Sequence, residues 1–158
     1  EKYQYKLKWL QALNVWLGGP PTLCVFSPTC GRAMALEHNG DLYACDHFVS
    51  PEYLRGNFTP ETAKSLVDGP AQVAFGAAKA DLPATCRACT VRAFCGGDCP
   101  KHRVRRAEDG KPISYLCPAY RRFFTHAAPV LQAMAGEIRA GRPAAGVMEV
   151  LREMHGAR

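Results

Sequence analysis

A run of four closely spaced cysteines is the part of this sequence best suited to chemistry. It reads C-x2-C-x5-C-x3-C and consists of Cys86, Cys89, Cys95 and Cys99. A short segment this rich in sulfur folds around something that binds thiolates. Bacterial ferredoxins provide a precedent, since the last cysteine of their run turns away to bind a second iron-sulfur cluster. Gly96 and Gly97 allow such a turn, because glycine adopts left-handed conformations without a Cβ clash. The run therefore predicts iron-sulfur ligation.

The remaining cysteines supply the thiols that a second site needs. They are Cys24, Cys30, Cys45 and Cys117, which bring the total to eight. A disulfide framework is the weaker interpretation, because 158 residues that are 47% hydrophobic can bury a core without covalent cross-links. Zinc is the stronger rival, since four-cysteine zinc sites also use C-x2-C pairs. A zinc ribbon needs two such pairs, however, and only Cys86 and Cys89 have this spacing.

Net charge and hydropathy restrict the possible partners. The chain carries 20 basic and 14 acidic residues, a net charge of +6, and its densest basic run covers residues 101–106. This run is either a solvated helix face or a set of cations that neutralises a nearby cluster. Nucleic-acid binding is disfavoured, because no aromatic residues are interleaved and no known module is present. We also find no membrane-spanning run and no signal peptide, and we expect a cytoplasmic protein without a membrane partner.

The elements that position these cysteines begin with a helix within residues 1–19. Leucines at helical spacing form its apolar stripe and two tryptophans lie beside them, at positions Leu10, Leu13, Leu17, Trp9 and Trp16. Gly18 ends the pattern. We interpret this helix as the end of a larger domain that precedes the chain, or as a linker to it.

Residues 23–48 have the pattern of strands. The segments 32–38 and 41–45 flank Asn39-Gly40, which predicts a β-hairpin with a type I′ turn, whose two central residues both take positive φ. Cys30 lies near the entry of this hairpin and Cys45 lies at its exit. The hairpin therefore explains how cysteines distant in sequence come to share one site.

Helices complete the predicted fold. Two short ones cover residues 59–67 and 71–79, the second with Val73, Ala74 and Phe75 available for packing. A longer helix begins at Cys117 and should be kinked or split at Pro129, which lacks a backbone donor. A last helix follows it. We therefore predict the α+β class, with a small β-hairpin, cysteine-rich loops and short helices around two metal sites, and C-terminal helices.

Read together, the eight cysteines form a pattern that resembles a known family. The order is C-x5-C-x9-G-x4-C, a gap, C-x2-C-x5-C-x3-C, a second gap and C, and its glycine is Gly40. From Cys30 onward it resembles the SPASM domain, the auxiliary-cluster extension of certain radical S-adenosylmethionine enzymes. Within that group, four segments resemble the anaerobic sulfatase-maturating enzymes: residues 39–48, 54–57, 95–100 and 117–124. The likeness runs from about Trp9 to Met134.

This resemblance implies two fully ligated [4Fe-4S] clusters, which suit electron transfer. Carried over by position, the first would be held by Cys24, Cys30, Cys45 and Cys99. The second would be held by Cys86, Cys89, Cys95 and Cys117. Because the ligands interleave, loss of a cluster should unfold the domain. The implied organisation is a helix at 1–19 from a missing barrel domain or its linker, a SPASM-type domain at 20–125 and a helical tail at 126–158.

Asp46, which follows Cys45, is the residue that the resemblance marks for catalysis. The matching aspartate of sulfatase maturases is regarded as the base that accepts a proton from the substrate cysteine or serine. An ionised carboxylate is an acceptor, and proton loss from a radical bearing a thiol or hydroxyl makes that radical a strong reductant. A loop carboxylate or a cap is the plain alternative. His38 and His47 are assigned no role, because histidines near a site are more often structural.

One departure from the family limits what this chain can do alone. Radical S-adenosylmethionine chemistry uses a C-x3-C-x2-C loop; Cys95 and Cys99 have its first interval, but His102 occupies the third position. S-adenosylmethionine and a third [4Fe-4S] cluster would belong to the missing N-terminal barrel. We therefore expect an inactive portion of an enzyme that oxidises a cysteine or serine of an unfolded sulfatase to formylglycine. The alternatives are a SPASM module of a peptide-modifying enzyme and a non-catalytic zinc module that binds a partner protein.

Overall fold

The structure is a computed structural model that describes residues 2–31 and 33–156. Its helices are α1 Lys2–Trp16, α2 Ala63–Val67, α3 Pro70–Ala78, α4 Ala84–Arg87, α5 Arg92–Cys95, α6 Cys117–Arg139 and α7 Val147–Gly156. Its strands are β1 Ala35–Leu36, β2 Asp41–Tyr43, β3 Leu54–Asn57, β4 Arg105–Arg106 and β5 Pro112–Ile113. This mixture of helices with small antiparallel sheets confirms the predicted α+β class. None of the described helices is long and apolar enough to cross a membrane.

The hydrophobic core lies between α1 and α6. Phe124 and Leu131 of α6 are 2% and 1% exposed, and they belong to one buried cluster with Ala12 and Leu13 of α1. The predicted stripe is wrong at Leu10, which is 64% exposed. Trp9, Ala12, Leu13 and Trp16 follow the i, i+3, i+4, i+7 spacing instead. The two large indole rings favour this face because they bury more apolar area than a leucine.

The predicted hairpin is present, and a third strand extends it. β1 pairs with β2 through Ala35 and Tyr43, and β3 pairs with the other edge of β2, which gives the order β1-β2-β3. The turn is not the predicted type I′, because only Gly40 has a positive φ, of 88°. The Glu37 N–H donates to the Asp41 carbonyl at 2.9 Å, so three residues form the loop and only the last one needs the left-handed conformation. Arg32, in the predicted first strand, lies outside the described residues.

The long C-terminal helix is continuous. α6 runs from Cys117 to Arg139 with Pro129 inside it, so the prediction of a split is wrong. Proline removes one backbone hydrogen bond, but Ala127 and Leu131 on either side are each 1% exposed and their burial keeps the helix intact. The helix also crosses the proposed boundary at 125/126, so the tail of that proposal begins within α6.

Two further expectations differ from the structure in the segments around the cysteines. Val73 of α3 is 61% exposed, and the buried positions of this helix are Gln72 and Gly76. The basic run 101–106 forms a 3-10 turn, Pro100–His102, and then β4, so it is not a helix face. Arg103 within it is only 8% exposed.

Candidate metal centres

The thiols lie around two separate cavities, and each cavity has four of them. The first is lined by Cys24, Cys30, Cys45 and Cys99. The second is lined by Cys86, Cys89, Cys95 and Cys117. All eight lie in the part of the chain that the structure describes, and none forms a disulfide. We call these groups the first and the second quartet.

The first quartet draws on three distant parts of the chain. Cys24 begins a 3-10 turn, and Cys45 follows β2 and forms a bridge with Phe48. The Cys30 N–H donates to the Gly76 carbonyl at 3.0 Å, which holds the loop before the hairpin against α3. A Cβ at Gly76 would lie 2.6 Å from the Cys30 carbonyl oxygen, so this approach requires glycine. The hairpin thus places Cys30 and Cys45 at one cavity, as the sequence predicted.

The second quartet is built by short helices and the start of α6. Cys86 lies in α4, Cys95 is the last residue of α5, and Cys117 is the first residue of α6. The Asp109 carboxylate accepts a hydrogen bond from the Ala84 N–H at 2.7 Å. It therefore holds the first residue of α4, two positions before Cys86.

The chain passes from the second quartet to the first within four residues. Gly96, Gly97 and Asp98 all have positive φ, of 57°, 80° and 61°, and this left-handed stretch separates Cys95 from Cys99. Asp98 is the one described residue other than glycine with positive φ, and its side chain is fully buried. Its Oδ2 accepts a hydrogen bond from the Ser114 hydroxyl at 2.6 Å, which holds the unusual backbone in place. The turn predicted at the two glycines is confirmed.

Both quartets are poor places for isolated thiolates. Burial raises the pKa of the Cys45 thiol and of the Cys95 thiol to about 11. Burial also raises the pKa of Cys30, Cys86, Cys99 and Cys117. Thiolates in such surroundings need a positive partner, and a metal ion or cluster supplies one.

Asp46 lies at the edge of the first quartet and faces solvent. Its side chain is 75% exposed, and its Oδ1 accepts a hydrogen bond from the Cys45 thiol at 3.0 Å. This hydrogen bond, followed by the nearby His47 ring, lowers the pKa of the Asp46 carboxyl. Asp46 is therefore an ionised acceptor that a molecule from solvent can reach.

Sequence reasoning missed two side chains at the first quartet and the position of a third, Arg103. His47, which was assigned no role, places its Nδ1 3.4 Å from the Cys99 Sγ. Lys79 lines the same cavity and is only 1% exposed, which is unusual for a charged side chain. Arg103 lies between the quartets. The basic run 101–106 was expected to place cations near a cluster, but the sequence did not indicate which residue or where. For Lys79 the sequence offers no signal beyond its place at the end of α3.

Comparisons with known proteins agree with this arrangement. Residues 24–90 match the SPASM family, described as an iron-sulfur cluster-binding domain, so the match ends before Cys95, Cys99 and Cys117. The chain is 39% identical over 140 residues to the serine-type anaerobic sulfatase-maturating enzyme of Bacteroides thetaiotaomicron, covering 87% of this chain and 34% of that enzyme. It is 27% identical over 127 residues to the cysteine-type enzyme of Clostridium perfringens, covering 80% and 34%.

A solved structure is similar as well. It is described as native anSMEcpe with bound AdoMet and Kp18Cys peptide, and it matches with a TM-score of 0.71 and 26% identity. The match covers 81% of this chain and 35% of that one, so the chain spans about a third of the length of the relatives it matches. Residues 24–90 therefore match the SPASM iron-sulfur cluster-binding domain, and the chain is related in sequence and in fold to the anaerobic sulfatase-maturating enzymes.

Proposed function

We propose that this chain is the C-terminal auxiliary-cluster portion of a radical S-adenosylmethionine enzyme that oxidises a cysteine or serine of a sulfatase to formylglycine. The observation that carries the proposal is the division of eight unpaired thiols into two cavities with four thiols each. The relatives that share this portion are named for sulfatase maturation, which supports a sulfatase as the substrate.

The donor set fits two [4Fe-4S] clusters, one in each quartet. Such clusters are commonly held by four cysteine thiolates, and they supply one-electron transfer when bound. With four protein ligands, neither centre keeps an open iron for substrate. We therefore assign both quartets to electron transfer. Four thiols also suit zinc, so the metal has to be identified by experiment.

Asp46 is the proposed proton acceptor. Its exposed carboxylate can reach a substrate thiol or hydroxyl that docks over the first quartet, and an ionised carboxylate accepts such a proton. Asp46 directly follows Cys45 in the chain, so the proton acceptor lies beside the proposed electron acceptor.

We expect this portion to be inactive without a radical S-adenosylmethionine barrel. Its eight cysteines are all assigned to the quartets, which leaves none for a C-x3-C-x2-C loop. In this proposal the barrel holds S-adenosylmethionine and a third cluster, and an unfolded sulfatase segment reaches Asp46 from solvent.

Metal and sulfide analysis tests the proposed centres. The protein is purified without oxygen, reconstituted with iron and sulfide, and compared with a Cys45→Ser/Cys117→Ser double variant. We expect this portion to hold about eight iron and eight sulfide per chain, and the double variant to lose them. Two zinc ions without sulfide after this treatment would instead support the zinc module.

Turnover by the full-length gene product tests Asp46 and the client. The substrates are sulfatase-motif peptides with cysteine or serine at the reacting position, and mass spectrometry detects formylglycine. Asp46→Asn should keep its iron and lose roughly 100-fold or more in rate, since that is what a general base contributes. Glu52→Gln, an exposed carboxylate nearby in sequence, is the control and should be unaffected. Full turnover by Asp46→Asn removes Asp46 from the mechanism, and no turnover of either peptide by the wild type favours another client.

A further inference from the structure

Two cations are buried beside the thiol quartets without a carboxylate partner. Lys79 is 1% exposed and Arg103 is 8% exposed. Among the described residues, no carboxylate lies within ion-pair distance of either one; the buried Asp98 carboxylate acts on Arg103 only from farther away. A buried cation is costly unless negative charge surrounds it. The burial of both cations therefore favours further negative charge in the two cavities beside them.

Lys79 lies beside the first quartet. It lines the same cavity as Cys24 and Cys30, and its Nζ donates to the backbone carbonyls of Cys24 and Val25. These hydrogen bonds hold the ammonium group at one wall of the cavity. No residue of the second quartet lines this cavity.

Arg103 lies between the quartets. Its guanidinium donates to three backbone carbonyls, those of Gly97 at 3.0 Å, Lys79 at 2.9 Å and Asp98 at 3.2 Å. Gly97 lines the second cavity and Lys79 lines the first, so the group spans the wall that separates them. The rigid fork of arginine suits this position, since it fixes the charge between the two sites.

We propose that Lys79 and Arg103 are fixed positive charges that raise the reduction potentials of the two centres, Lys79 that of the first centre alone and Arg103 those of both. The inference rests on the proposed cluster occupancy. Its physical basis is that a reduced cluster carries one more negative charge than an oxidised one, so a nearby buried cation favours reduction. Exposed cations at the second cavity, Arg92 and Arg121, are screened by water and contribute less.

Redox titration followed by electron paramagnetic resonance tests the proposal in the full-length gene product. Lys79→Gln keeps a donor for the two carbonyls and removes the charge, and it should make one auxiliary potential more negative and leave the other in place. Arg103→Gln should make both more negative. Lys64→Gln, an exposed lysine of α2, is the control and should change neither.

The outcomes separate this inference from the proposed function. A wild-type protein without clusters overturns both. The inference alone is overturned if the wild type holds two auxiliary clusters but Lys79→Gln leaves both potentials unchanged. It is also overturned if Lys79→Gln shifts both potentials equally. If a neutral variant loses its iron, the charge-preserving changes Lys79→Arg and Arg103→Lys are measured instead. Wild-type iron content and wild-type potentials in these variants sustain the proposal. Loss of iron in these variants too refutes it.

Discussion

Replacing Gly96 with alanine should damage this domain more than the same change at another left-handed glycine. Gly96 has φ of 57°, and a Cβ there would lie 2.2 Å from the Phe26 carbonyl oxygen. Cβ contacts below 3.0 Å are essentially never found, so the backbone has to move by about 0.8 Å. Phe26 cannot retreat easily, because its ring packs edge-on against Tyr120 and Phe124 in the core. The displacement would also pull on Cys24, which shares the 3-10 turn with Phe26.

The magnitude follows from two separate costs. A residue other than glycine in the left-handed region costs about 1–2 kcal/mol, partly offset by about 0.4–1 kcal/mol from the stiffer unfolded chain. The clash adds about 1–3 kcal/mol, as other overpacked positions do. Gly110→Ala is the matched control, because Gly110 has φ of 76° and nothing lies within 4 Å of its Cβ position. We therefore expect a loss of about 1 kcal/mol or less for Gly110→Ala and about 3 kcal/mol for Gly96→Ala.

Anaerobic thermal unfolding, followed by circular dichroism and by the visible absorbance of the clusters, measures this difference. For a domain of this size 1 kcal/mol corresponds to roughly 2–4 °C, so Tm should fall by roughly 6–12 °C in Gly96→Ala. It should fall by no more than roughly 2–4 °C in Gly110→Ala. Equal shifts for the two variants would refute the argument from close approach, and would leave backbone strain as the whole effect.

Two further changes test the packing around the first quartet and the core. Gln72 is 3% exposed and donates to the carbonyls of Ala44 at 3.0 Å and Gly31 at 3.3 Å. Gln72→Leu should therefore lower the free energy of unfolding by about 1–3 kcal/mol. The control Gln132→Leu, at an exposed position of α6, should lower it little. Similar Tm values for these two variants would count against the buried hydrogen bonds. Phe124→Ala should cost about 3–5 kcal/mol by emptying the centre of the core, and a Tm within a few degrees of the wild type would contradict that placement.

The sequence predicts the helices and the meeting of distant cysteines, because both follow from local rules. Turn chemistry at Asn39-Gly40 places Cys30 and Cys45 at one cavity, and paired glycines reverse the chain before Cys99. The grouping of all eight thiols came from the family resemblance and agrees with the two cavities. Their assignment as cluster ligands stays a prediction.

The sequence did not predict every side chain that α1 and α3 bury. Leucine spacing placed both Leu10 and Leu13 in the core, but only Leu13 is buried. In α3, Val73 is exposed, whereas Phe75 packs edge-on against Phe48 and Tyr53. Lys79 and Arg103 would ordinarily be assigned to solvent, since burial of a cation is favourable only beside an anion. In our proposal the anion is a cluster held by cysteines from several segments, and local patterns do not reveal that grouping.

The left-handed stretch between Cys95 and Cys99 limits the distance between the two quartets. Four residue steps limit the separation of the two Cα atoms to about 14 Å, and the reversed backbone shortens it further. If a barrel domain adjoins this portion as proposed, its movements cannot stretch this span. An insertion of one residue here would move Cys95 or Cys99 away from its quartet. Length variation in relatives should therefore fall in the β4–β5 turn and not between these two cysteines.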